Sequence, residues 1–192
     1  MKLLNFEFKA YLHDAPHVRA TLKRLRARFL GMDHQVDTYF HVPAERLKIR
    51  EGRIENSLIF YQRTDAAHAR RSLVEMMLLP RRNSVRAILA GALGVLAVVD
   101  KRREIYFAGN VKIHIDRVRG LGTFLEVEAM TRTGDIKKVR AQAVKFQKLF
   151  AIPPQDIVAQ SYSDLILEKA KAPGLRQSPR RSPKGNKIIS RR

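Results

Sequence analysis

The chain has 192 residues, of which 45% are hydrophobic, carries a formal net charge of +20 and contains no cysteine. This length suffices for one domain with a buried core, and the lack of cysteine excludes disulfides and thiolate metal sites. No run of about 18 apolar residues occurs, so no transmembrane helix is expected, and charge appears too early in MKLLNFEFKA for a signal-peptide core. We therefore expect a cytoplasmic protein.

The positive charge divides into two parts of different character. Residues 172–192 contain seven cations and no acid and are rich in Pro, Gly and Ser, a composition typical of disorder. We expect residues 171–192 to form a basic disordered tail that could bind nucleic acid. Seven of the +20 charges lie there, which leaves +13 on the preceding part. The folded part therefore also predicts an anionic partner, such as a nucleotide, a polyphosphate or nucleic acid.

The N-terminal part predicts a strand over residues 3–12 and then an amphipathic helix. Asp14 is a candidate N-cap, and Pro16 lies near the first turn. Apolar residues at helical spacing extend through Phe29, which predicts a helix that continues until Gly31.

From residue 35 onward, alternation predicts strands separated by turn residues. Helices are expected over residues 84–93, 135–150 and 162–169. The predicted strands after the first are VDTYFHV, RLKIREG, SLIFYQR, RRSLVEMML, VLAVVDKRREIYFA, VKIHIDRV and TFLEVEA. The total is about eight strands, which suits a small closed barrel, and the short connections favour antiparallel pairing.

Alternation also collects charged residues on one face of several strands. Glu126 and Glu128 share a face, as do Asn5, Glu7 and Lys9. A solvated face explains such a pattern in any single strand. Here it recurs, mostly with positive charge, at Lys48 and Arg50, at Tyr61 and Arg63, at Lys101 and Arg103, and at Lys112, His114 and Asp116. A few carboxylates among many cations suit a metal-bound polyphosphate.

The sequence contains no GxxxxGK[ST] loop, GxGxxG turn, GxSxG elbow or HExxH pair. A phosphate ligand would therefore be bound by Arg and Lys side chains. Eight blocks carry a more specific signal: EFKA (7–10), DTYF (37–40), RLKIREG (46–52), IFYQRTD (59–65), RRS (70–72), VVDKRREIYF (98–107), NVKIHIDRVRGLGTFLEVEA (110–129) and SYSDLIL (161–167). In this order, over about residues 3–168, they resemble the CYTH superfamily of triphosphate tunnel metalloenzymes, and most closely its class IV adenylyl cyclases.

The resemblance implies an α+β fold in which an eight-stranded antiparallel β-barrel with flanking helices occupies residues 1–170. It implies that Glu7, Glu126 and Glu128 bind Mg or Mn, and Asp116 matches an acidic position of the cyclase branch. Asp116 and Lys9 are the candidate catalytic residues, since Lys9 could accept a proton if nearby cations lower its pKa. The triphosphate would be bound by Lys9, Lys48, Arg50, Arg63, Arg70, Lys101 and Arg103. In one departure, Asn5 replaces the first glutamate of the ExExK motif, which removes a charged oxygen ligand.

Three functions stay open at this stage. The blocks favour a cyclase that converts ATP into cyclic AMP and pyrophosphate. An organic or inorganic triphosphatase would use the same site, and a non-catalytic binder of polyphosphate or nucleic acid is the third. His114 is either a general base or a hydrogen-bonded histidine of the tunnel wall. The oligomeric state is also open, with a homodimer among the options.

Overall fold

The computed structural model describes residues 2–63, 70–131 and 135–171, with side chains except at 2–4, 63, 70 and 71. The predicted tail beyond Lys171 and the Arg63 and Arg70 side chains therefore lie outside the described part. The strands are β1 (Lys2–Tyr11), β2 (Arg28–Phe40), β3 (Arg46–Glu51), β4 (Ser57–Arg63), β5 (Arg70–Leu78), β6 (Val95–Ala108), β7 (Val111–Val118) and β8 (Gly122–Thr131). The helices are α1 (Ala15–Arg24), α2 (Val85–Leu93), α3 (Ile136–Leu149) and α4 (Tyr162–Lys171), with a 3-10 turn at Pro154–Asp156.

The strands form one closed antiparallel ring in the order β1-β5-β4-β3-β2-β6-β7-β8. The ring closes where β8 pairs with β1, so that Glu7 lies opposite Glu128 and Lys9 lies opposite Glu126. This confirms the predicted α+β fold with eight antiparallel strands, and β6 and β7 begin and end at the predicted residues.

The first helix is shorter than predicted. It ends at Arg24, followed by Arg26 with a positive φ of 51°, and β2 already begins at Arg28. The backbone from Arg28 onward pairs with the long strand β6. The ring of Phe29 also packs on that of Tyr106, with ring centroids 4.8 Å apart. The prediction of helix until Gly31 was wrong because apolar spacing cannot distinguish a last helical turn from the start of a neighbouring strand.

The principal core lies outside the ring. Phe8, Ile113 and Val127 point outward from β1, β7 and β8 and pack in one buried cluster with Val18 of α1 and Phe146 of α3. Successive strand residues face opposite sides, so charged neighbours such as Lys9 and Glu126 point inward. The ring therefore turns its apolar face to the helices and its charged face to its own interior.

A second cluster closes part of the interior near the start of α4. Tyr162 packs there against Tyr39, Val99 and Phe124. By contrast, α2 has no buried residue. No helix in the described ranges is long and apolar enough to cross a membrane.

Two isoleucines provide a matched test of where the core lies. Ile113 is fully buried between the ring and the helices, whereas Ile88 of α2 is 63% exposed. We expect Ile113→Ala to lower the free energy of unfolding by about 2–5 kcal/mol, since it leaves a cavity, and Ile88→Ala to change it by less than about 0.5 kcal/mol. Urea unfolding of both variants measures this, and equal losses would contradict the placement of the core.

Candidate functional site

The ring encloses a cavity of about 310 Å³ that is lined by residues from all eight strands. Its charged and amide side chains are Asn5, Glu7, Lys9, Asp37, Lys48, Arg50, Glu55, Asn56, Arg103, Lys112, Glu126 and Glu128. The alternation of charge along the strands therefore marks the interior of a tunnel.

Asp37 on β2 organises three of the interior cations. Its Oδ2 accepts hydrogen bonds from Lys48 Nζ at 2.9 Å and from Lys101 Nζ at 2.7 Å. Arg50 binds both carboxylate oxygens, through Nε at 2.9 Å and Nη2 at 3.0 Å. Burial alone would raise the pKa of Asp37, but the three cations lower it well below its ordinary value, so the carboxylate is ionised. One negative charge thus supports three buried cations.

A second cluster is centred on Arg103 of β6. Its Nε donates to Asp116 Oδ1 at 2.6 Å, and its Nη2 contacts both Asp116 and Glu126. The hydroxyl of Tyr162 donates to Asp116 Oδ2 at 2.8 Å. Asp116 is fully buried and bonds to two nitrogens of Arg103, so it fixes the orientation of the guanidinium group from the side away from the cavity. Lys9 lies beside this cluster, with Nζ 3.1 Å from Glu126 Oε1 and 3.9 Å from the centre of the Tyr162 ring.

Glu55 brings a carboxylate into the cavity from the loop between β3 and β4. Its Oε2 accepts from Arg50 Nη1 at 2.9 Å, and its Oε1 contacts Lys112 Nζ. Burial would raise the pKa of Glu55, but Arg50 and Lys112 lower it well below its usual range. Each of the six described interior cations (Lys9, Lys48, Arg50, Lys101, Arg103 and Lys112) therefore has a carboxylate partner.

His114, Glu126 and Glu128 form a group that could hold a metal ion. Their donor atoms lie within 4.8 Å of one another. The Nδ1 atom of His114 is 3.6 Å from a carboxylate oxygen of each glutamate, and neither ring nitrogen has a hydrogen-bond partner in the described part of the chain. Burial and Arg103 lower the pKa of His114, which leaves the imidazole neutral. Two carboxylates and a neutral imidazole are a donor set that suits a divalent ion.

One wall of the cavity is apolar. Ile59 of β4 and Val74, Met76 and Leu78 of β5 form it. Ile59 lies directly opposite Lys48 on β3, so the apolar wall begins immediately beside the cations. A cavity that bound phosphate alone would have no use for this wall, whereas an organic group attached to the phosphates could pack against it.

The chain matches the family model of the CYTH domain over residues 3–162. It belongs to the CYTH family. The CYTH chain is also 25% identical to a Methanocaldococcus jannaschii protein provisionally named an adenylate cyclase, over 173 residues that cover 85% of this chain and 98% of the relative.

Solved structures share the CYTH fold at low identity. A Pyrococcus horikoshii protein superposes with a TM-score of 0.70 at 21% identity and covers 84% of this chain and 98% of its own. A candidate adenylate cyclase of Vibrio parahaemolyticus gives 0.71 at 19% identity, with 85% and 98% covered. An adenylyl cyclase homologue from Hippeastrum, described as having a dominant triphosphatase activity, gives 0.55 at 12% identity, with 88% and 95% covered.

The CYTH tunnel brings together most of the residues that the sequence singled out. Glu7, Lys9, Lys48, Arg50, Arg103, Glu126 and Glu128 line one cavity. Lys101 and Asp116 lie behind that lining, at 1% and 0% exposure, and contact Asp37 and Arg103 respectively. Tyr39 and Tyr61 line the cavity, whereas Tyr106 bonds to Glu104 outside it.

Sequence reasoning missed three residues that organise the CYTH site. Asp37 shares the inward face of β2 with Tyr39, and the alternation applied elsewhere could have identified it. Tyr162 contributes from α4, and Glu55 contributes from a loop. Neither position has a periodic signal, because helix and loop residues enter the tunnel through the tertiary fold.

Replacing Asp37 tests whether it holds the interior cations together. In Asp37→Asn, Lys48 and Lys101 lose their carboxylate partner in a buried site and Arg50 keeps only Glu55, so we expect a loss of about 3–5 kcal/mol in the free energy of unfolding. Asp100→Asn is the control, because Asp100 pairs with His34 at the surface, and it should cost less than about 1 kcal/mol. Urea unfolding at neutral pH compares the two variants. Equal losses in the free energy of unfolding would show that Asp37 contributes no more to stability than a surface ion pair.

Lys101 predicts a pH dependence of stability. Burial, opposed by Asp37, lowers its pKa from 10.5 to about 7. Between these two values the unfolded chain binds a proton that the folded chain releases, so stability rises with pH in this window. Relative to Lys101→Met, the wild type should gain up to about 1.4 kcal/mol per pH unit above pH 7. Denaturant unfolding from pH 6 to 10 measures the difference, and parallel pH profiles would contradict it.

Proposed function

We propose that the CYTH protein is a metal-dependent enzyme that converts ATP into cyclic AMP and pyrophosphate. The observation that supports this proposal most strongly is the combination, within one cavity, of buried cations, a carboxylate group that could hold metal, and an apolar wall. Cations bind the phosphates, and the wall can accept the base of a nucleotide. The relative from Methanocaldococcus jannaschii is provisionally named for the same reaction.

The triphosphate is assigned to the cations that reach the cavity. Lys48 and Arg50 would bind it on one side, and Lys9 and Arg103 on the other. Arg63 and Arg70, whose side chains lie outside the described part, are assigned to the triphosphate from the sequence alone. Lys101 is buried behind Asp37 and would act on the phosphates through the charge of the cluster. Fixed cations in a site with little water stabilise negative charge more strongly than solvent does.

The divalent ion, Mg or Mn, is assigned to Glu126 and Glu128, with Glu7 opposite Glu128 on the neighbouring strand. His114 adds a neutral nitrogen donor to this group. When bound, such an ion neutralises phosphate charge and lowers the pKa of a coordinated hydroxyl. Asn5 contributes no charge where the ExExK motif has its first glutamate, and its buried Oδ1 has no partner in the described part of the chain. The site is therefore proposed to favour one ion over two.

In the proposed reaction, the ribose 3′ oxygen forms a bond to the α-phosphorus and the bond from that phosphorus to the bridging oxygen breaks. The hydroxyl proton passes to solvent water, and pyrophosphate leaves with the electron pair of the broken bond. Lys9 and Arg103, which line the cavity, would donate hydrogen bonds to the phosphate oxygens as this charge develops. Asp116 is a positioning residue, because both of its oxygens are bonded to Arg103.

Triphosphate hydrolysis is the second candidate function. The Hippeastrum homologue has the same fold and is described as mainly a triphosphatase, which favours hydrolysis as the alternative to cyclisation. In hydrolysis water attacks the terminal phosphorus, and the same cations would hold the phosphate chain. The two reactions differ in which phosphorus lies beside the nucleophile.

The products formed by the purified protein decide between these reactions. ATP and inorganic tripolyphosphate are incubated separately with Mg, with Mn and with a chelator, and all products are resolved by chromatography. Metal-dependent formation of cyclic AMP and pyrophosphate is the expected result. Orthophosphate together with ADP or pyrophosphate would establish the triphosphatase, and tight binding without any product would establish a binding module.

Two glutamine variants test the carboxylates. Glu126→Gln and Glu128→Gln should each lower kcat by about 100-fold or more, since even outer partners of a metal site cost about 10–100-fold. Glu104→Gln is the control, because Glu104 pairs with Arg19 and Tyr106 outside the cavity, and its turnover should be unchanged. Calorimetric Mn titration should show weaker ion binding in the first two variants. Unchanged Mn affinity in both would contradict the assignment of the ion.

A further inference from the structure

Glu55 occupies a position in the tunnel that a phosphate group would need. Its carboxylate contacts Arg50 from β3 and Lys112 from β7 and lines the cavity. Arg50 uses Nε and Nη2 to bind Asp37, and its Nη1 donates to Glu55. A phosphate that approached Arg50 from the cavity would therefore meet Glu55 on the guanidinium edge that Asp37 leaves open.

The fold holds the loop that carries Glu55. Asp33, fully buried on β2, accepts the backbone N–H of Arg53 at 2.7 Å and that of Glu55 at 3.0 Å, one with each oxygen. A Cβ at Gly52 would lie 2.5 Å from Asp33 Oδ2 and 2.8 Å from the carbonyl oxygen of Glu55, so the loop packs too closely for a larger residue. The approach of Glu55 to the cations is therefore built into the backbone.

Gln35 fixes the side chain as well. Its Nε2 donates to Asp33 Oδ2 at 3.0 Å and to Glu55 Oε2 at 2.9 Å, and Gln35 is fully buried. The carboxylate of Glu55 is thus oriented by an uncharged donor on one side and by two cations on the other. Because those cations hold its pKa well below the usual range, Glu55 is an anion at neutral pH.

Glu55 differs from Asp37 and Asp116 in exposure, and it differs from Glu126, which is 17% exposed and contacts Lys9 and Arg103, in lying on a loop. Asp37 and Asp116 are at most 1% exposed and lie on strands of the ring. The side chain of Glu55 is 19% exposed and borders the cavity, on a loop instead of a strand. A rotation of its own side chain would release it from Arg50, Lys112 and Gln35 together, whereas Asp37 could not leave without disrupting the ring.

We propose that Glu55 is a displaceable internal anion that competes with the phosphates of the substrate for Arg50 and Lys112. Binding of a polyphosphate expels the carboxylate, and departure of the product lets it return. Glu55 therefore weakens the binding of every phosphate that uses these two cations, including the pyrophosphate product, and favours product release. This inference rests on the proposed function, because it assumes that phosphates bind in the tunnel.

Removing the charge of Glu55 without changing its shape tests the proposal. Glu55→Gln should bind inorganic tripolyphosphate and pyrophosphate more tightly than wild type by about tenfold or more, the ratio expected for one charge-assisted interaction. Calorimetric titration is performed with a chelator, so that metal binding does not contribute. Glu51→Gln is the matched control, since Glu51 lies on β3 and pairs with Arg86 at the surface, and its affinity should equal that of wild type.

Each outcome of the titration is informative. Wild-type binding with equal or weaker affinity in Glu55→Gln would overturn the competition and show that Glu55 supports the cations, while the proposed function would survive. Binding by Glu55→Gln alone would support the proposal in its strongest form. Binding by neither protein would overturn the competition, because the cations would then not bind phosphate without metal, while the proposed function would be decided by the product assay with metal. Glu55→Asp is the second variant in case Glu55→Gln does not fold. Its side chain is one methylene shorter, so its carboxylate reaches the two cations less well, and it should also bind tripolyphosphate more tightly than wild type.

Discussion

The interaction between Asp37 and its three cations is the constraint on which the tunnel depends. A buried cation is stable only when its charge is compensated, and Lys48, Arg50 and Lys101 all compete for the same carboxylate. The compensation is incomplete even with Glu55, which pairs with Arg50 and Lys112, since two carboxylates then face four cations. Burial lowers the pKa of Lys101 to about 7, which removes part of the excess without another acid. The remaining positive charge lies at the cavity, where an anionic ligand can bind it.

The closed ring allows charged side chains to be buried without loss of a hydrophobic core. An open sheet with one apolar and one charged face would turn its charged face to water, where cations bind phosphate weakly. Here the helices α1 and α3 cover the apolar outer face, and the core that stabilises the fold lies between them and β1, β7 and β8. The interior does not have to supply hydrophobic stability, so it can hold charge and a cavity. Folding and ligand binding are therefore carried by opposite faces of the same strands.

The strand period alone predicted much of the site. Glu126 and Glu128, Lys48 and Arg50, and Lys9 all point inward, because side chains alternate along a strand and closure of the ring makes one face the interior. The charge balance could not be predicted in the same way. The sequence suggested a few carboxylates among many cations, but Glu55 reaches Arg50 from a loop and Asp116 is bonded to Tyr162 of α4. Such pairings depend on segments far apart in the chain, which local periodicity does not report.

The apolar wall bears on the choice of reaction in a way that the cations do not. Any triphosphate satisfies Lys48 and Arg50 equally, whatever is attached to it. Ile59, however, lies directly opposite Lys48, and Ser57 lies opposite Arg50 with Leu78 next to it on β5. Apolar surface therefore begins one strand away from the cations to which the phosphates are assigned. Inorganic tripolyphosphate would leave that surface in contact with water, whereas the base and ribose of a nucleotide would cover it and gain the free energy of its burial. Under the proposed function, a nucleotide would therefore use both the cations and the apolar wall of the cavity.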